Sequence, residues 1–205
     1  MAAPVDTTKS SPRPRSNKLD PTSIHEFVED LIGNDLHAQR VRSVANGVIG
    51  VLHAATLAIH AIGEGLAAAM GLDPKHAIKQ VDRLLSNRRV DVEMLAPLWV
   101  AFVLAERKNI VVALDWTDFD GDNQTTLVLN VITSHGRATP LLWKTVEKKW
   151  LKTRRNDYED DLLLRLRAAV PDDVRVTVLA DRGFGDQKLY QFLREELGFD
   201  YVIRF

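Results

Sequence analysis

Two aspartates carry the clearest chemistry in this sequence. Asp115 closes the run Ile110-Val111-Val112-Ala113-Leu114, and Asp181 closes Val174-Arg175-Val176-Thr177-Val178-Leu179-Ala180. An apolar run that ends in a carboxylate is the pattern of a buried strand delivering an acid to its end. Taken singly, each reads as a strand-end cap. If the two strands are neighbours in one sheet, the pair becomes a set of hard oxygen ligands suited to Mg2+ or Mn2+ and to two-metal phosphoryl transfer. Asp118, Asp120 and Asp122 follow the first strand in an expected turn and read as ordinary turn acids.

A second chemistry is basic. Asp73-Pro74 is a strong helix start, with aspartate as cap and proline at the first helical position. In the helix expected from Pro74 to about Ser86, Lys75, Lys79 and Arg83 recur at i, i+4, i+8, and Ile78, Val81 and Leu85 lie on a different side. Arg88 and Arg89 follow. From Lys75 to Arg89 five basic residues face one acid, Asp82. A helix, a glycine turn and a second helix with a basic outer face fit a helix-turn-helix reader of duplex DNA. A solvated surface helix fits the same residues.

Composition sets the bounds. At 205 residues, 45% hydrophobic and 27% charged, the chain has a soluble globular balance and a core of ordinary size. The net charge of −1 excludes a uniformly basic nucleic-acid coat, so any such contact rests on local patches. The absence of cysteine removes thiol nucleophiles, disulfides and cysteine zinc sites; the default compartment is a reducing cytoplasm, near the nucleoid for a DNA binder. The six histidines form no metal-spaced set; His53 and His60 are expected to share a packed helical face. Gly63-Glu64-Gly65-Leu66-Ala67-Ala68 follows a helix rather than a strand, so it fails as a nucleotide loop. Val44 to Gly63 is uncharged over the length of a membrane span, but its Asn, His, Gly and Ala content favours a buried helix pair and no membrane partner.

These residues need elements to hold them. Residues 1–22, rich in Pro, Ser, Lys and Arg, read as a disordered basic arm. Residues 23–107 read as a helical DNA-binding domain. Its first helix is capped at Thr22 or Ser23, with Glu26 completing a capping box, and ends at Gly33-Asn34. Further helices start near Ala38, near Thr56 and at Pro74, and one runs from Val92 to Arg107 across Pro97. Residues 108–205 turn strand-like: strands at 109–116, 125–133 and 138–145, joined for the last pair by a tight turn at Ser134-His135-Gly136-Arg137. Between Lys144 and Arg155 six basic residues meet one Glu. A helix at 156–169, a strand ending at Asp181, a helix capped by Asp186 and a final strand at 199–205 complete the order β-β-β-α-β-α-β. With the helical region in front, the fold class is α+β or α/β with a ribonuclease H-like mixed sheet, an arrangement in which the first and fourth strands lie side by side.

The blocks Ala113-Leu114-Asp115-Trp116-Thr117-Asp118-Phe119, Arg137-Ala138-Thr139-Pro140-Leu141-Leu142-Trp143 and Leu179-Ala180-Asp181-Arg182-Gly183-Phe184-Gly185 resemble bacterial insertion-sequence transposases of the DDE class. So do Tyr201-Val202-Ile203-Arg204 and, in the helical region, Leu84-Leu85-Ser86-Asn87-Arg88-Arg89-Val90. The resemblance implies metal-dependent DNA strand cleavage and transfer, with two Mg2+ or Mn2+ ions activating water and then a 3′ hydroxyl. Asp115 would bridge both ions and Asp181 would bind one. It implies double-stranded DNA carrying the element's terminal repeats as partner, and is compatible with a homodimer in the DNA complex. Arg182 is then a phosphate contact or a salt-bridge partner of a neighbouring carboxylate. The family's third ligand is a glutamate within a Tyr-Arg-Glu motif; Glu195 and Glu196 lie in no such motif. The expectation is therefore the N-terminal portion of a transposase, truncated and inactive. A non-catalytic DNA-binding fragment or transposition inhibitor, and a ribonuclease H-like nuclease that completes its site otherwise, are the alternatives.

Overall fold

The computed structural model describes residues 20–134 and 138–204. Most of the expected basic arm, the turn residues His135, Gly136 and Arg137, and Phe205 lie outside the described residues. The chain divides into two compact units, one of residues 20–30 and 37–87, the other of 31–36 and 88–204.

The first helix, α1 (Pro21–Ile32), starts earlier than expected. Asp20, not Thr22 or Ser23, opens it: its carboxylate accepts the Ser23 N–H at 3.3 Å, and Pro21 takes the first helical position. α2 (Ala38–Ala54), α3 (Ile59–Met70) and α4 (Pro74–Leu85) follow. Val41, Ala45 and Ile49 of α2, Ile62, Leu66 and Ala67 of α3, and Ala77 and Val81 of α4 are buried. α2 and α3 bend by 97° at the break between them, so the uncharged Val44–Gly63 run is split over two helices. No single helix among the described residues is long and apolar enough to cross a membrane. His53 and His60 fall on different helices and are both exposed, so they share no packed face.

Glycines let these helices approach closely. A Cβ on Gly63 would lie 2.5 Å from the Ile78 Cα, and one on Gly65 would lie 2.7 Å from the Gly50 carbonyl oxygen. The glycine-rich run is thus a helix-packing device inside α3. α3 ends at Gly71 in the left-handed region (φ 65°), and Asp73 accepts the His76 N–H at 3.1 Å to start α4, as the Asp-Pro pair predicts.

The second unit is α+β. After α5 (Val92–Leu104) come β1 (Asn109–Phe119), a 3-10 turn, β2 (Gln124–Ile132), β3 (Ala138–Glu147), α6 (Lys148–Ala169), β4 (Arg175–Ala180), α7 (Gln187–Gln191) continued as a π turn (Phe192–Glu196), and β5 (Asp200–Ile203). The described strands form one mixed sheet in the order β3-β2-β1-β4-β5. β1 is antiparallel to β2 and parallel to β4, and β5 continues parallel to β4. Alternation along β1 sends Ile110, Val112 and Leu114 into the core beside Leu129 and Val131 of β2 and Val176 and Val178 of β4. Val100 and Leu104 of α5 and Leu162, Leu163 and Leu166 of α6 join that core, so α5 belongs with the sheet. Pro140 sits on the edge strand β3, where a missing N–H costs no ladder bond.

α6 departs from expectation. It begins at Lys148 rather than Asn156, so the basic stretch is helical, with non-helical backbone at Arg154 (φ −131°) marking a kink.

Candidate functional site

The parallel pairing of β1 with β4 runs to Leu114 opposite Ala180. Asp115 continues β1 and Asp181 directly follows the last residue of β4, so their backbones leave that ladder side by side, neighbouring strands being about 4.8 Å apart. β1 carries Asp115 there as an exposed residue on the sheet face opposite the core, level with Val128 of β2 and Trp143 of β3. Asp181 leaves β4 in extended backbone and caps a 3-10 turn (Arg182–Phe184), its Oδ1 accepting the Gly183 N–H at 2.8 Å. That bond holds the carboxylate in one rotamer and leaves Oδ2 for another partner. Phe184 is buried and anchors the turn to the core.

The carboxylates fit the oxygen preference of Mg2+ or Mn2+. Among the described residues, however, no three Asp, Glu, His or Cys side chains gather into a metal-holding set. A pair of aspartates meets part of an ion's shell and leaves the remainder to water.

Beside this strand end lies a buried charge that sequence reasoning missed. Glu159 of α6 is 5% exposed. Its Oε1 accepts both the Trp116 indole N–H and the Arg155 Nε–H, each at 2.8 Å. The Arg155 guanidinium lies 5.3 Å from the Phe184 ring centroid and 6.0 Å from that of Trp116. A buried carboxylate with two donors, one of them cationic, is satisfied and costs far less than an unpaired one. Glu159 is thereby committed to Trp116 and Arg155. Nothing in the surrounding Asn156-Asp157-Tyr158-Glu159-Asp160-Asp161 run marks it as the buried acid.

Next to it, Asp160 is pushed above the ordinary carboxylate range by burial, then by the negative charges of Glu159, Asp157, Glu196 and Asp186. At the far end of β1, Asp118 is held below that range by hydrogen bonds from Thr125 and Lys148, and Lys148 is raised by Asp120 and Asp118. Asp118, which lies inside β1 and not in the expected turn, and Asp120 therefore brace the β1–β2 connection and the start of α6.

Lys75, Lys79 and Arg83 are exposed along α4, as their spacing predicts. Leu85, placed by spacing on the apolar side, is 62% exposed; the packed stripe is Ala77, Ile78, Val81 and Leu84. Arg88 and Arg89 are exposed in the turn after α4 and fall in the second unit. Arg182 is exposed in the 3-10 turn, and no carboxylate among the described residues forms an ion pair with it.

Comparisons with protein-family models, with curated proteins and with solved structures find no match to this chain.

Proposed function

We propose that the chain is a DNA-directed protein of the DDE transposase type, with a helical reader of duplex DNA and a ribonuclease H-like sheet bearing two acidic ligands. The observation that carries this reading is the register: a parallel β1–β4 ladder that leaves Asp115 and Asp181 at adjacent positions at one sheet end. The strand order β3-β2-β1-β4-β5, with β1 and β4 central and parallel, supports the fold assignment. The α3–Gly71–α4 turn, with Lys75, Lys79 and Arg83 exposed along α4, supports duplex DNA as partner.

Asp115 and Asp181 would hold the Mg2+ or Mn2+, which when bound supplies charge neutralisation at phosphorus and a more acidic water. Asp181 is preset by the Gly183 N–H, and Asp115 is presented by a strand paired with β2 at Asp115 itself and with β4 as far as Leu114. Because no third carboxylate joins them among the described residues, two-metal chemistry does not fit this residue set, and no catalytic step follows from it. The same observation favours a second reading, in which the chain binds DNA without cutting it. The nuclease alternative loses support, because Glu159 is already engaged by Trp116 and Arg155.

The test combines Mn2+ titration by calorimetry with plasmid nicking. Weak Mn2+ binding that disappears in Asp115→Asn and in Asp181→Asn, with trace nicking at most, is the expected result. Equal Mn2+ binding by the chain and by the double variant defeats the metal assignment. Robust nicking that vanishes in Asp115→Ala shows that another residue completes the site.

A further inference from the structure

We propose that Arg155 binds a backbone phosphate of a nucleic-acid strand beside Asp181, and that the start of α6 carries the adjoining strand across Trp150. The inference rests on the nucleic-acid reading above and adds a contact surface on the sheet-bearing unit.

The guanidinium is built as a fixed fork. Its Nε edge is tied at 2.8 Å to Glu159, whose side chain is only 6% exposed, and that carboxylate is fixed in turn by the Trp116 N–H. The rings of Phe184 and Trp116 flank the plane. Such a group has lost its rotamer freedom before any ligand arrives, so ordering it costs little on binding. The Arg155 side chain remains 39% exposed, and among the described residues its two Nη groups make no hydrogen bond. Pairing a buried glutamate needs only the Nε edge, so the Nη donors are left to a ligand.

The position of those donors points to the ligand. A Cβ on Gly183 would lie 3.5 Å from Arg155 Nη2 and 3.0 Å from Asp181 Oδ1. The missing side chain therefore keeps open a gap bordered by the guanidinium and by one of the two candidate metal ligands. A group that meets a guanidinium edge there must be an anion with oxygens to spare, and phosphate matches the fork. In the run from Lys144 to Arg155, Lys144 is paired with Glu93, Lys148 with Asp118 and Asp120, Lys149 with Glu147 and Arg154 with Asp157, while Lys152 makes no ion pair among the described residues. Trp150 within the run is 50% exposed with Lys149 Nζ 5.2 Å from its ring. A half-exposed indole among lysines offers a stacking platform for a base next to charges for its backbone. A free phosphate would use Arg155 but have no use for Trp150, which is why a strand is the ligand.

The experiment is fluorescence anisotropy of a labelled oligonucleotide, single-stranded and duplex, titrated with the full chain over a salt series. Arg155→Gln, Arg155→Lys, Trp150→Ala and the double variant Lys79→Ala/Arg83→Ala are compared, each checked by thermal unfolding. Arg155→Gln is expected to weaken binding about ten-fold and to flatten the log affinity against log salt slope by roughly 0.7 to 0.9, one phosphate contact. Arg155→Lys keeps the charge but loses the fork, so it is expected to restore the slope and only part of the affinity. Trp150→Ala should weaken single-stranded binding with the slope unchanged. Folded Arg155→Gln with unaltered affinity and slope overturns the proposal. If Arg155→Gln does not fold, unaltered binding by both Arg155→Lys and Trp150→Ala overturns it. Inorganic phosphate that competes as well as oligonucleotide, mole for mole of phosphate, overturns the strand and leaves a free anion. Binding lost only in Lys79→Ala/Arg83→Ala sinks this inference while sparing the DNA reading; no binding by the unsubstituted chain sinks both.

Discussion

Glu159 and Asp160 are chain neighbours with opposite electrostatic situations. Glu159 is buried but has two donors on one oxygen. Trp116→Phe keeps an aromatic ring but loses the pyrrole half of the indole, and with it one of those donors to a charged acceptor. The expected loss is about 1 to 3 kcal/mol in urea unfolding, and an unchanged midpoint would show that the indole N–H is dispensable. Asp160 is the reverse case, a half-buried carboxylate facing Asp157, Glu159, Glu196 and Asp186. Its raised pKa means the fold favours the protonated form, so stability falls as pH rises from the ordinary carboxylate range through the raised value. Asp160→Asn is therefore expected to be stabilising at pH 7, through relief of burial of the charge and of its repulsion by the neighbouring acids, with the gain vanishing in acid below that range. The i,i+3 pair with Asp157 alone contributes roughly 0.2 to 0.5 kcal/mol. A gain that persists at low pH would assign it to packing instead. At this scale the strand-end aspartates were legible, because a carboxylate after an apolar run stands out. Glu159 was not: its burial depends on a tryptophan more than forty positions away, which no local pattern carries.

Among the elements, α4 and α6 show why one helix start was readable and the other was not. α4 opens with a side-chain cap and a proline, each a local signal with a mechanism. α6 opens at Glu147, which makes no side-chain cap bond, and its first residues are Lys148 and Lys149, unfavourable at the positive end of a helix dipole. What holds this start is tertiary: Lys148 is paired with Asp118 and Asp120, and its N–H donates to the Asn123 carbonyl at 3.1 Å. The break at Arg154 then makes Asn156 look like the first helical residue. The Gly63–Gly65 pair was also readable only in part. Sequence excluded a nucleotide loop, but the contact that needs glycine is with Ile78 on another helix. Gly63→Ala would press a methyl against the Ile78 backbone and is expected to cost about 1 to 3 kcal/mol. Gly121→Ala, where a Cβ meets nothing within 4 Å, serves as the neutral control. Equal melting temperatures for the two variants would show that α3 and α4 are not locked at Gly63.

Over the whole molecule, short apolar runs and strand-period stretches bounded by turn residues made the β-β-β-α-β-α-β order legible, although in β1 the apolar run Ile110 to Leu114 has only one packed face. Where the apolar surface would be left exposed was less legible. Phe199 is 3% exposed and joins the core, its N–H donating to the Leu193 carbonyl at 2.8 Å. Val202 is 62% exposed, and Phe205 lies outside the described residues. The apolar surface lies instead on the sheet face away from the core, where Val111, Phe119, Ile132 and Trp143 are each at least 36% exposed. β5 is an edge strand of that sheet, and an edge bearing an exposed valine beside an apolar face invites pairing with another chain. The chain is therefore expected to associate reversibly with rising concentration in sedimentation velocity. Val202→Lys puts a charge on the open face of that edge strand without touching the buried Ile203, so it should shift the chain toward monomer and leave the melting temperature within about 2 °C. A monomer at every concentration for the unsubstituted chain would show that the exposed face is too polar, with Asp115, Thr117 and Arg175 among its residues, to drive association. Association that Val202→Lys leaves unchanged would move the contact away from β5.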